Sequence, residues 1–527
     1  MTEHVGTWLA QAGVEHVFGV IGSGNYRATA AMVAEGAEFH AVRHESAAVG
    51  ACDGLWRTTG RIGVASVHQG PGFTNALTAL GEAAKSRSPL LVVAGCAPAG
   101  DLRSTFRADQ AAMATAVGAI ADRIHSAESV DQDLQRAWQR AVDERRPVLL
   151  DLPLDIQDLP YSGGKQYRPA APTVAARGAD VAEVHEALRA ARRPLLLAGR
   201  GAWLAGAGAE LRELADRTGA LLATSAHAKD LFAGHPANLG IMGGFSPQWV
   251  VDALAEVDLI IAFGCSLTHW TTRADTLVSD RKVIQIDNDP AALRLNRFVD
   301  LALVSDVATC VTDLLSSVEG GGEPATVTPV ESIWPDAPQG LHPGQVVREL
   351  DQLLPAERTV VVDGGHFIGW PIVGLQVPDP SGFIFTSGGF QSIGLGLGAA
   401  LGAALGRPDR LTVLVAGDGG WQMSLADLET ACRLRLKLLV VVLNDSAYGA
   451  EVHHFGMDDP GYELVRFPEV DLAAGARGFG AAGITVRSLD DLAAIGEWLQ
   501  AGAGPLVVDV RIDPTVVGYW IEQDFRH

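Results

Sequence analysis

Two aspartates follow successive apolar runs in the last third of the chain, where oxygen ligands for a metal ion could be brought together. Asp418 lies in Gly417-Asp418-Gly419 after the run 411–416, and Asp445 follows the run 438–443. A helical pattern at 425–436 separates the runs, which predicts two parallel strands ending side by side. Carboxylate oxygens suit Mg²⁺, and glycines at a helix start let backbone amides approach a phosphate. The unit therefore predicts a Mg²⁺ ion held against a diphosphate.

This unit resembles a motif of a known family. GDGGWQMSLADLETACRLRLKLLVVVLNDSAYG is similar to the diphosphate and magnesium motif of thiamine diphosphate enzymes. VRHESAAVGACDGLWRTTGRIGVASVHQGPGFTNALTAL resembles the cofactor-activating segment of the acetolactate synthase and benzoylformate decarboxylase group, and LFAGHPANLGIMGG and KVIQIDNDP resemble its central domain. The resemblance covers nearly the whole chain in the family's order, and it implies an enzyme that uses thiamine diphosphate and Mg²⁺.

The resemblance implies that the diphosphate and its metal are bound around the two strand ends. The implied residues are Gly417, Asp418, Gly419, Gly420, Asn444, Asp445, Ala447 and Tyr448. Asp418, Asp445 and the carbonyl of Ala447 are the implied metal donors, while Asn444 supports the turn. Many relatives have Asn-Asn at the second position, so Asp445 adds a negative charge beside the diphosphate.

Glu45 follows an apolar run at 39–42 and stands at the head of a predicted helix. Taken alone, it is an acid favoured by the positive end of the helix dipole. The resemblance implies more: the matching glutamate hydrogen-bonds N1′ of the cofactor's aminopyrimidine and thereby promotes removal of the thiazolium C2 proton. The cofactor supplies the carbanion chemistry, and the protein controls its tautomer and geometry.

The segment that follows the predicted strand 63–67 carries a second group of candidates. His68 matches a slot in which benzoylformate decarboxylases have a proton-transferring histidine and acetolactate synthases a small hydroxyl residue. An imidazole suits general acid–base catalysis near neutral pH, although a packed structural histidine is the alternative. Gln69 is its polar neighbour. The loop containing Gly70, Pro71 and Asn75 is implied to lie beside the cofactor, with an ordinary tight turn as the alternative.

The resemblance also assigns residues on the other side of the cofactor. Ile393 aligns with the bulky apolar residue that wedges between the cofactor's two rings, and the Gln391 carbonyl would accept a bond from the 4′-amino group. Gly365 and His366, after the run 359–362, would face the diphosphate. A core isoleucine and an ordinary loop are the alternatives.

The implied reaction makes or breaks a C–C bond next to the carbonyl of a 2-oxo acid. Overall resemblance favours an acetolactate synthase-like carboligase, in which an aldehyde or a second oxo acid is the acceptor. His68 favours a benzoylformate decarboxylase-like reaction, and GAEVHHFG lacks the acceptor-side residues expected of a biosynthetic acetolactate synthase. Remote alternatives are a non-catalytic paralogue and an NAD-dependent oxidoreductase built on GRGAWLAGAG, although no ribose-binding acid ends the next run, 220–225.

Short apolar runs alternating with helical patterns must position these residues. They predict an α/β protein with three open parallel-sheet domains that carry helices on both faces. Polar segments rich in Gly and Pro, 161–180 and 320–340, predict linkers between an N-terminal pyrimidine-binding domain (1–160), a central Rossmann-like domain (178–318) and a C-terminal diphosphate-binding domain (340–527). The uncharged stretch 381–406 is long enough to span a bilayer, but its glycines favour a buried helix.

Composition and charge narrow the classes of partner that the protein is expected to bind. A formal charge of -22 over 527 residues argues against nucleic acid and anionic membranes. The odd number of cysteines, five without a CxxC pair, predicts reduced thiols, and the N-terminus has no basic segment followed by an apolar core. We therefore expect a cytoplasmic enzyme that is a homodimer or homotetramer, as the resemblance implies.

Overall fold

The computed structural model describes residues 1–98, 100–161, 181–318, 322–330, 333–502 and 504–521. They contain three six-stranded sheets in which all paired strands run parallel, which confirms the predicted α/β class with three parallel-sheet domains. Residues 162–180 of the first predicted linker, and 320–321 and 331–332 of the second, lie outside the described residues. The domain boundaries therefore stay a prediction.

The first sheet has the strand order β2-β1-β3-β4-β6-β5. Its strands are β1 (His16–Gly19), β2 (Glu38–Ala41), β3 (Val64–Val67), β4 (Leu91–Cys96), β5 (Ile120–Arg123) and β6 (Val148–Pro153). The helices around it are α1 (Thr2–Gln11), α2 (Tyr26–Ala34), α3 (Glu45–Thr59), α4 (Pro71–Asn75), α5 (Leu77–Lys85), α6 (Gln110–Ala116), α7 (Val130–Asp143) and α8 (Leu154–Gln157).

The second sheet has the order β12-β11-β10-β7-β8-β9, in which the direction of winding reverses between β7 and β10. Its strands are β7 (Pro194–Ala198), β8 (Leu221–Thr224), β9 (Asn238–Ile241), β10 (Leu259–Phe263), β11 (Lys282–Asp287) and β12 (Leu301–Val304). Its helices are α9 (Ala182–Ala190), α10 (Arg200–Leu204), α11 (Gly208–Thr218), α12 (Gln248–Ala255), α13 (His269–Thr272) and α14 (Val307–Ser317). The glycines of GRGAWLAGAG serve packing here, since a Cβ on Gly199 would lie 2.1 Å from the Gly264 carbonyl oxygen.

The third sheet has the order β14-β13-β15-β16-β18-β17, which repeats the winding of the first. Its strands are β13 (Arg358–Val362), β14 (Phe383–Phe385), β15 (Leu411–Gly417), β16 (Leu438–Asn444), β17 (Ala482–Val486) and β18 (Leu506–Arg511). Its helices are α15 (Pro343–Leu353), α16 (Gly369–Gly374), α17 (Gly396–Gly406), α18 (Asp418–Ser424), α19 (Leu428–Arg433), α20 (Gly449–Phe455), α21 (Tyr462–Val465), α22 (Leu472–Gly478) and α23 (Ala493–Ala501).

Two sequence expectations about helices were wrong in extent. The stretch 381–406 is not one buried helix: Phe383–Phe385 forms an edge strand, and only Gly396–Gly406 is helical, because the glycine-rich turn between them breaks the element. The helix expected at 425–436 begins earlier, at Asp418, and a short 3₁₀ turn at Leu425–Asp427 divides it. Among the described helices, none combines the length and apolar character needed to cross a bilayer.

Small residues bring α3 of the first domain and α17 of the third into backbone contact. A Cβ on Gly54 would lie 2.0 Å from the carbonyl oxygen of Ala399, and one on Gly402 would lie 1.8 Å from that of Ala51. The two helices run in the same direction, since Gly398 also meets Ala47 near the helix starts. This contact is continuous with a buried apolar cluster that contains side chains of both sheets.

Candidate active site

Asp418 and Asp445 lie at the ends of the adjacent parallel strands β15 and β16, as the sequence predicted. Gly417 is the register partner of Leu443, and Asp418 begins α18 while Asp445 follows β16 by one residue. Both carboxylates are buried, and Asp445 Oδ1 accepts a hydrogen bond from the Ala447 amide at 3.1 Å. The Asp445 Oδ2 atom has no hydrogen-bond partner, although His366 Nε2 lies 3.3 Å away.

The electrostatics of this pair favour a cation. Burial raises the pKa of both carboxyls, and the negative charge of Asp418 raises the pKa of Asp445 further. A divalent ion bound between them would stabilise both charged forms and would supply a partner for the orphaned Asp445 oxygen. The donors are hard oxygens, which fits the Mg²⁺ of a diphosphate cofactor.

Glycines line the space around these carboxylates, because a side chain would not fit there. The backbone of these glycines stays accessible. A Cβ on Gly449 would lie 2.2 Å from the His366 ring and 2.4 Å from Asp445 Oδ2. Gly365 has φ +145°, a conformation that L side chains rarely adopt, and the Tyr448 ring lies 3.4 Å from a Cβ built on Gly419. The structure thus brings most of the predicted cofactor-binding residues of the third domain into one cluster, which we call the carboxylate cluster: Gly365, His366, Ile393, Gly417, Asp418, Gly419, Gly420, Asp445, Ala447 and Tyr448.

Asp363 fixes the loop that carries Gln391 and Ile393. Its carboxylate accepts hydrogen bonds from the amides of Gly394 at 3.0 Å and Gly396 at 3.2 Å. Ile393 reaches the carboxylate cluster, since a Cβ on Gly420 would lie 3.0 Å from its Cγ2 atom, yet the side chain is 46% exposed. A φ of 51° at Gln391 turns the chain sharply at this point. The sequence did not reveal this positioning role of Asp363.

Asn444 serves the turn after β16. Its Nδ2 donates to Asp509 Oδ1 at 2.8 Å, and its Oδ1 accepts from the Ser446 amide at 3.0 Å. Its side chain is therefore engaged within the protein, which agrees with the supporting role in the predicted turn and leaves direct cofactor contact without structural support.

Glu45 forms a second cluster with the loop after β3, which we call the glutamate cluster. It begins α3 and is 8% exposed. Its Oε2 atom accepts a hydrogen bond from Asn75 Nδ2 at 2.9 Å, and its Oε1 atom faces Gly72. Ser46 Oγ donates to the Asn75 carbonyl at 2.6 Å. The predicted neighbours Glu45 and Asn75 are thus in direct contact.

His68 lies at the edge of this cluster and is half-buried. Its Nδ1 is 3.0 Å from the Gln69 carbonyl oxygen, which makes Nδ1 the donor and Nε2 the available base. Nε2 is 3.5 Å from Ser23 Oγ, and the ring packs edge-on against Phe106. The imidazole is therefore held in one orientation, with Nε2 facing the Ser23 hydroxyl as a hydrogen-bond acceptor.

The other predicted residues of this loop have structural roles. Gly70 has φ +64°, and a Cβ there would meet the Phe106 carbonyl oxygen at 2.6 Å. Pro71 is the first residue of α4. Gln69 is 2% exposed and its Oε1 packs against Gly24 and Gly95 without a hydrogen-bond partner. Its side chain points into the domain rather than towards Glu45, so the structure gives it no contact with the catalytic candidate.

Asp427 holds the segment before Glu45 from the third domain, a role that the sequence did not reveal. Its carboxylate accepts from the Arg43 amide at 2.8 Å and also interacts with the His44 amide. Thr430 Oγ1 donates to the same carboxylate at 3.0 Å. Arg43 Nε in turn donates to Glu429 at 2.7 Å. Residues of α19 and of the 3₁₀ turn before it therefore fix the entry to α3, although their sequence signal is that of an ordinary amphipathic helix.

Glu82 and His453 make two further contacts that the sequence did not reveal. Glu82, on α5, accepts from the Phe390 amide at 2.6 Å and from Arg57 at 3.2 Å, which ties the first domain to the Gln391 loop. His453 packs edge-on against His366 with ring centroids 4.7 Å apart and bonds the Pro514 carbonyl oxygen at 2.8 Å. Burial, followed by the neighbouring His453, lowers the pKa of His366 to about 3, so this ring is neutral.

The two clusters remain separate in one chain. Across the described residues, no hydrogen bond or ion pair connects the glutamate cluster to the carboxylate cluster. They are related instead through Asp427 and through the packing of α3 on α17. A cofactor that contacts both clusters can bind only where a glutamate cluster and a carboxylate cluster face one another.

Comparison with known proteins matches three parts of the chain to one family. Models described as thiamine pyrophosphate enzyme match the N-terminal TPP binding domain at 1–118, the central domain at 181–314 and the C-terminal TPP binding domain at 363–510. A Mycobacterium tuberculosis protein whose name is that of an acetolactate synthase large subunit is 30% identical over 507 residues, covering 90% of each chain.

Other proteins are similar to this chain over almost its whole length. The large subunit of acetolactate synthase isozyme 2 from Escherichia coli is 28% identical over 521 residues, or 96% of this chain and 95% of that protein. A solved structure of a thiamine diphosphate-dependent 4-hydroxybenzoylformate decarboxylase from Rhodococcus jostii superimposes with a TM-score of 0.83 at 23% identity, covering 97% of this chain and 99% of the other. At that identity the structural likeness establishes the shared fold.

Proposed function

Because this chain belongs to the thiamine pyrophosphate enzyme family, we propose that it binds thiamine diphosphate with Mg²⁺ and acts on 2-oxo acids. Within the family it is a thiamine diphosphate-dependent carboligase or decarboxylase. We propose the carboligase reaction, in which the fragment left after loss of CO₂ is joined to a second carbonyl. Acetolactate synthase relatives that span nearly the whole chain support this choice.

The observation that carries the cofactor assignment is the buried pair Asp418 and Asp445. Their raised pKa values and the orphaned Asp445 oxygen fit a divalent cation. The Ala447 carbonyl would be the third protein donor, and the α18 start with its glycines would bind the diphosphate oxygens through backbone amides. Asp445 carries the most weight for the metal assignment. With a second carboxylate present, a diphosphate can bind here only if a cation lies between it and the two acids.

Glu45 would set the protonation of the cofactor. When bound, thiamine diphosphate supplies the carbanion and the electron sink that a 2-oxo acid needs to lose CO₂. The Glu45 carboxylate, oriented by Asn75, would stabilise a proton on the pyrimidine ring. Ile393 would set the bend of the cofactor, and its exposure supports this role because a wedge residue must face a ligand rather than the core.

His68 supports a benzoylformate decarboxylase-like reaction as the second candidate. Decarboxylation that releases an aldehyde breaks the C–C bond to the carboxylate and forms a C–H bond at the same carbon, so it needs a proton donor there. With Nδ1 committed to the Gln69 carbonyl, His68 would first take up a proton at Nε2 and then donate it to this carbon. Carboligation forms a C–C bond at that carbon instead and needs the proton at the acceptor oxygen.

We propose that a second copy of the chain completes the site, in a homodimer or a tetramer built from such dimers. Large apolar side chains around the carboxylate cluster are solvent-exposed in one chain: Met423 is 71% exposed, Tyr448 53% and Phe455 65%. Exposed apolar groups gathered at one site are typical of an interaction surface. The unpaired cysteines support a cytoplasmic location.

A substrate screen tests the proposal. Protein treated with a chelator should lose thiamine diphosphate and regain it with Mg²⁺, and the reloaded enzyme should consume one or more 2-oxo acids. CO₂ and acyloin are measured in parallel: equal amounts indicate ligation, and CO₂ with free aldehyde indicates decarboxylation. Tight cofactor binding without any divalent ion would contradict the metal assignment, and no turnover of any 2-oxo acid would contradict the substrate class.

A further inference from the structure

Two histidines and a glutamate meet on one face of the first sheet, near the amino ends of β1 and β2. Glu38 is the register partner of His16, and His40 lies two residues further along β2. Residues that are register partners or two positions apart on a strand share a face, so the three side chains leave the sheet together. In the described part of the chain, this is the one group of three such residues whose ligand atoms lie within 4.8 Å of one another.

The ligand atoms have the spacing of a metal site. His16 Nδ1 and His40 Nε2 are 3.0 Å apart. Glu38 Oε2 is 3.6 Å from His40 Nε2 and 4.0 Å from His16 Nδ1. Two ligands of a tetrahedral zinc ion bound at about 2.0–2.1 Å lie about 3.3 Å apart. A small movement of Glu38, whose side chain is 69% exposed, would bring its oxygen to that spacing from both nitrogens, and the two imidazoles would have to separate slightly from their 3.0 Å contact.

The two imidazoles are preorganised. Both are buried, and the Phe18 ring packs 5.1 Å from that of His40 and 6.3 Å from that of His16. His16 Nδ1 and His40 Nε2 share a hydrogen bond, so one of them carries a proton, and a metal bound to both would require that proton to move to the other nitrogen of its ring. The buried pair thus resembles two fixed ligands beside a mobile third.

The charges around the group are mixed. Arg61 and Arg433 face the imidazoles and disfavour any added positive charge, whereas Glu15 and Glu38 favour it. Arg61 is paired with Glu15, and Arg433 donates to Glu429 at 3.2 Å and to the Ala41 carbonyl. Because both guanidinium groups have acceptors of their own, their repulsion of a bound ion is reduced.

We propose that His16, Glu38 and His40 form a binding site for Zn²⁺ or a similar d-block divalent ion, separate from the carboxylate cluster. Two imidazole nitrogens, one carboxylate oxygen and a fourth position open to water suit zinc, whereas Mg²⁺ prefers oxygen donors alone. The ion would join the edge strand β2 to β1 and so stiffen the strand whose carboxyl end leads to Glu45. If the carboxylate cluster holds Mg²⁺ as proposed above, the chain has two metal sites of different chemistry.

The test uses full-length protein saturated with thiamine diphosphate and excess Mg²⁺, so that the carboxylate cluster is occupied. Titration with Zn²⁺ should show one further ion bound per chain by calorimetry, and Co²⁺ as a spectroscopic probe should give the intense visible bands of a tetrahedral site. Zn²⁺ should also raise the thermal unfolding midpoint, because it binds the folded state.

Three variants and a control decide whether these residues are the ligands. Glu38→Gln changes an exposed side chain and should fold normally, yet it should weaken Zn²⁺ binding by more than the roughly 10–100-fold lost with an outer-shell partner. His16→Ala and His40→Ala should abolish saturable binding and the Co²⁺ bands. His185→Ala, on α9 of the central domain, should leave both unchanged.

Two outcomes would overturn the proposal. The first is that Mg²⁺ displaces all of the Zn²⁺ that the wild-type protein binds. The two histidines would then be only a hydrogen-bonded pair. The other is unchanged Zn²⁺ affinity in Glu38→Gln together with unchanged binding in whichever histidine variant folds. Should neither histidine variant fold, the Glu38→Gln affinity and the Co²⁺ spectrum alone decide.

Discussion

The Glu45 carboxylate is oriented by two contacts that are distant in sequence. Asn75 donates to one of its oxygens, and Asp427 of the third domain holds the backbone at Arg43 and His44 just before it. The first contact fixes the direction of the carboxylate, and the second fixes the entry to α3. A group that must control one proton of a bound cofactor benefits from both, because proton transfer depends on sub-ångström geometry.

Glu45→Gln should fold normally and activate the cofactor poorly. The amide oxygen can still accept from Asn75 Nδ2, so the local packing is kept, but a neutral amide cannot stabilise a proton on the pyrimidine ring. We expect kcat to fall on the order of 10²-fold or more. Hydrogen–deuterium exchange at C2 of the bound cofactor, followed by NMR, measures the effect directly. Glu128→Gln, an exposed acid of the same domain, is the control, and wild-type exchange in Glu45→Gln would remove Glu45 from the mechanism.

His68→Ala should harm proton transfer more than cofactor binding. If the enzyme mainly decarboxylates, kcat should fall roughly 10²-fold, since the released aldehyde needs a proton at its carbonyl carbon. If it mainly ligates, the acceptor replaces that proton and the loss should be smaller. The ratio of aldehyde to acyloin in the variant therefore reports the residue's role and the reaction class together. An unchanged rate and ratio would leave His68 as a structural histidine.

The sequence identified site residues at strand ends and missed residues whose contacts are distant in sequence. Asp418 and Asp445 follow apolar runs, so simple topology places them together. Asp427, Glu82 and His453 lie in or beside helices, where acidic and polar residues are common, and their cited partners are 61 to 384 residues away. No local sequence pattern predicts such a contact. Gln69 shows the reverse case, in which adjacency to His68 suggested a shared site but the turn after β3 buries the side chain against Gly24 and Gly95.

At the scale of elements, the parallel strands were predictable and the helix ends were not. β7 begins and ends where its apolar run does, at Pro194–Ala198, because a strand buried on both faces is apolar throughout. The glycine-rich stretch before α17 has no such periodicity. Its turn is set by Asp363, which binds the amides of Gly394 and Gly396 from another strand, and this long-range contact decides where the helix can start.

The packing of α3 on α17 should tolerate no larger side chain. Gly402→Ala would put a Cβ 1.8 Å from the Ala51 carbonyl oxygen, so the helices must separate. Overpacking of this kind costs about 1–3 kcal/mol, and activity should fall as well because α3 carries Glu45. Urea denaturation and kcat are the measurements.

Gly475→Ala is the matched control for this substitution. Gly475 lies within α22, and nothing stands within 4 Å of a Cβ built there. The same chemical change should therefore be neutral or stabilising by about 0.4–1 kcal/mol, since alanine favours a helix. Equal effects of the two substitutions would show that α3 and α17 are not closely packed in solution.

At the scale of the whole molecule, the first and third sheets share one strand order while the central sheet has another. The shared order places Glu45, after β2, and Asp418, after β15, at the carboxyl edges of two similar domains, where open parallel sheets bind ligands. A single chain keeps these two clusters apart and leaves apolar side chains exposed around the second. A two-fold pairing of chains would cover that surface and let the glutamate cluster of one chain face the carboxylate cluster of the other.

Mixed dimers should therefore recover activity from two inactive variants. Glu45→Gln and Asp418→Asn, each inactive alone, are co-expressed with different tags, and dimers containing one chain of each are purified. If each site takes Glu45 from one chain and Asp418 from the other, one site of the mixed dimer carries both changes and the second carries neither. The mixed dimer should then show about half the wild-type kcat per dimer, because one of two sites is intact.

Asp418→Asn paired with Asp445→Asn is the control for this experiment. Both changes fall in the carboxylate cluster, which one chain supplies as a unit, so every site in that mixed dimer is damaged and no activity should return. Sedimentation at assay concentration should show a dimer or a larger species for the wild-type enzyme. If purified Glu45→Gln/Asp418→Asn dimers stay inactive, or if the wild type is active as a monomer, both clusters must serve the same chain, and the α3–α17 contact would be the device that brings them together.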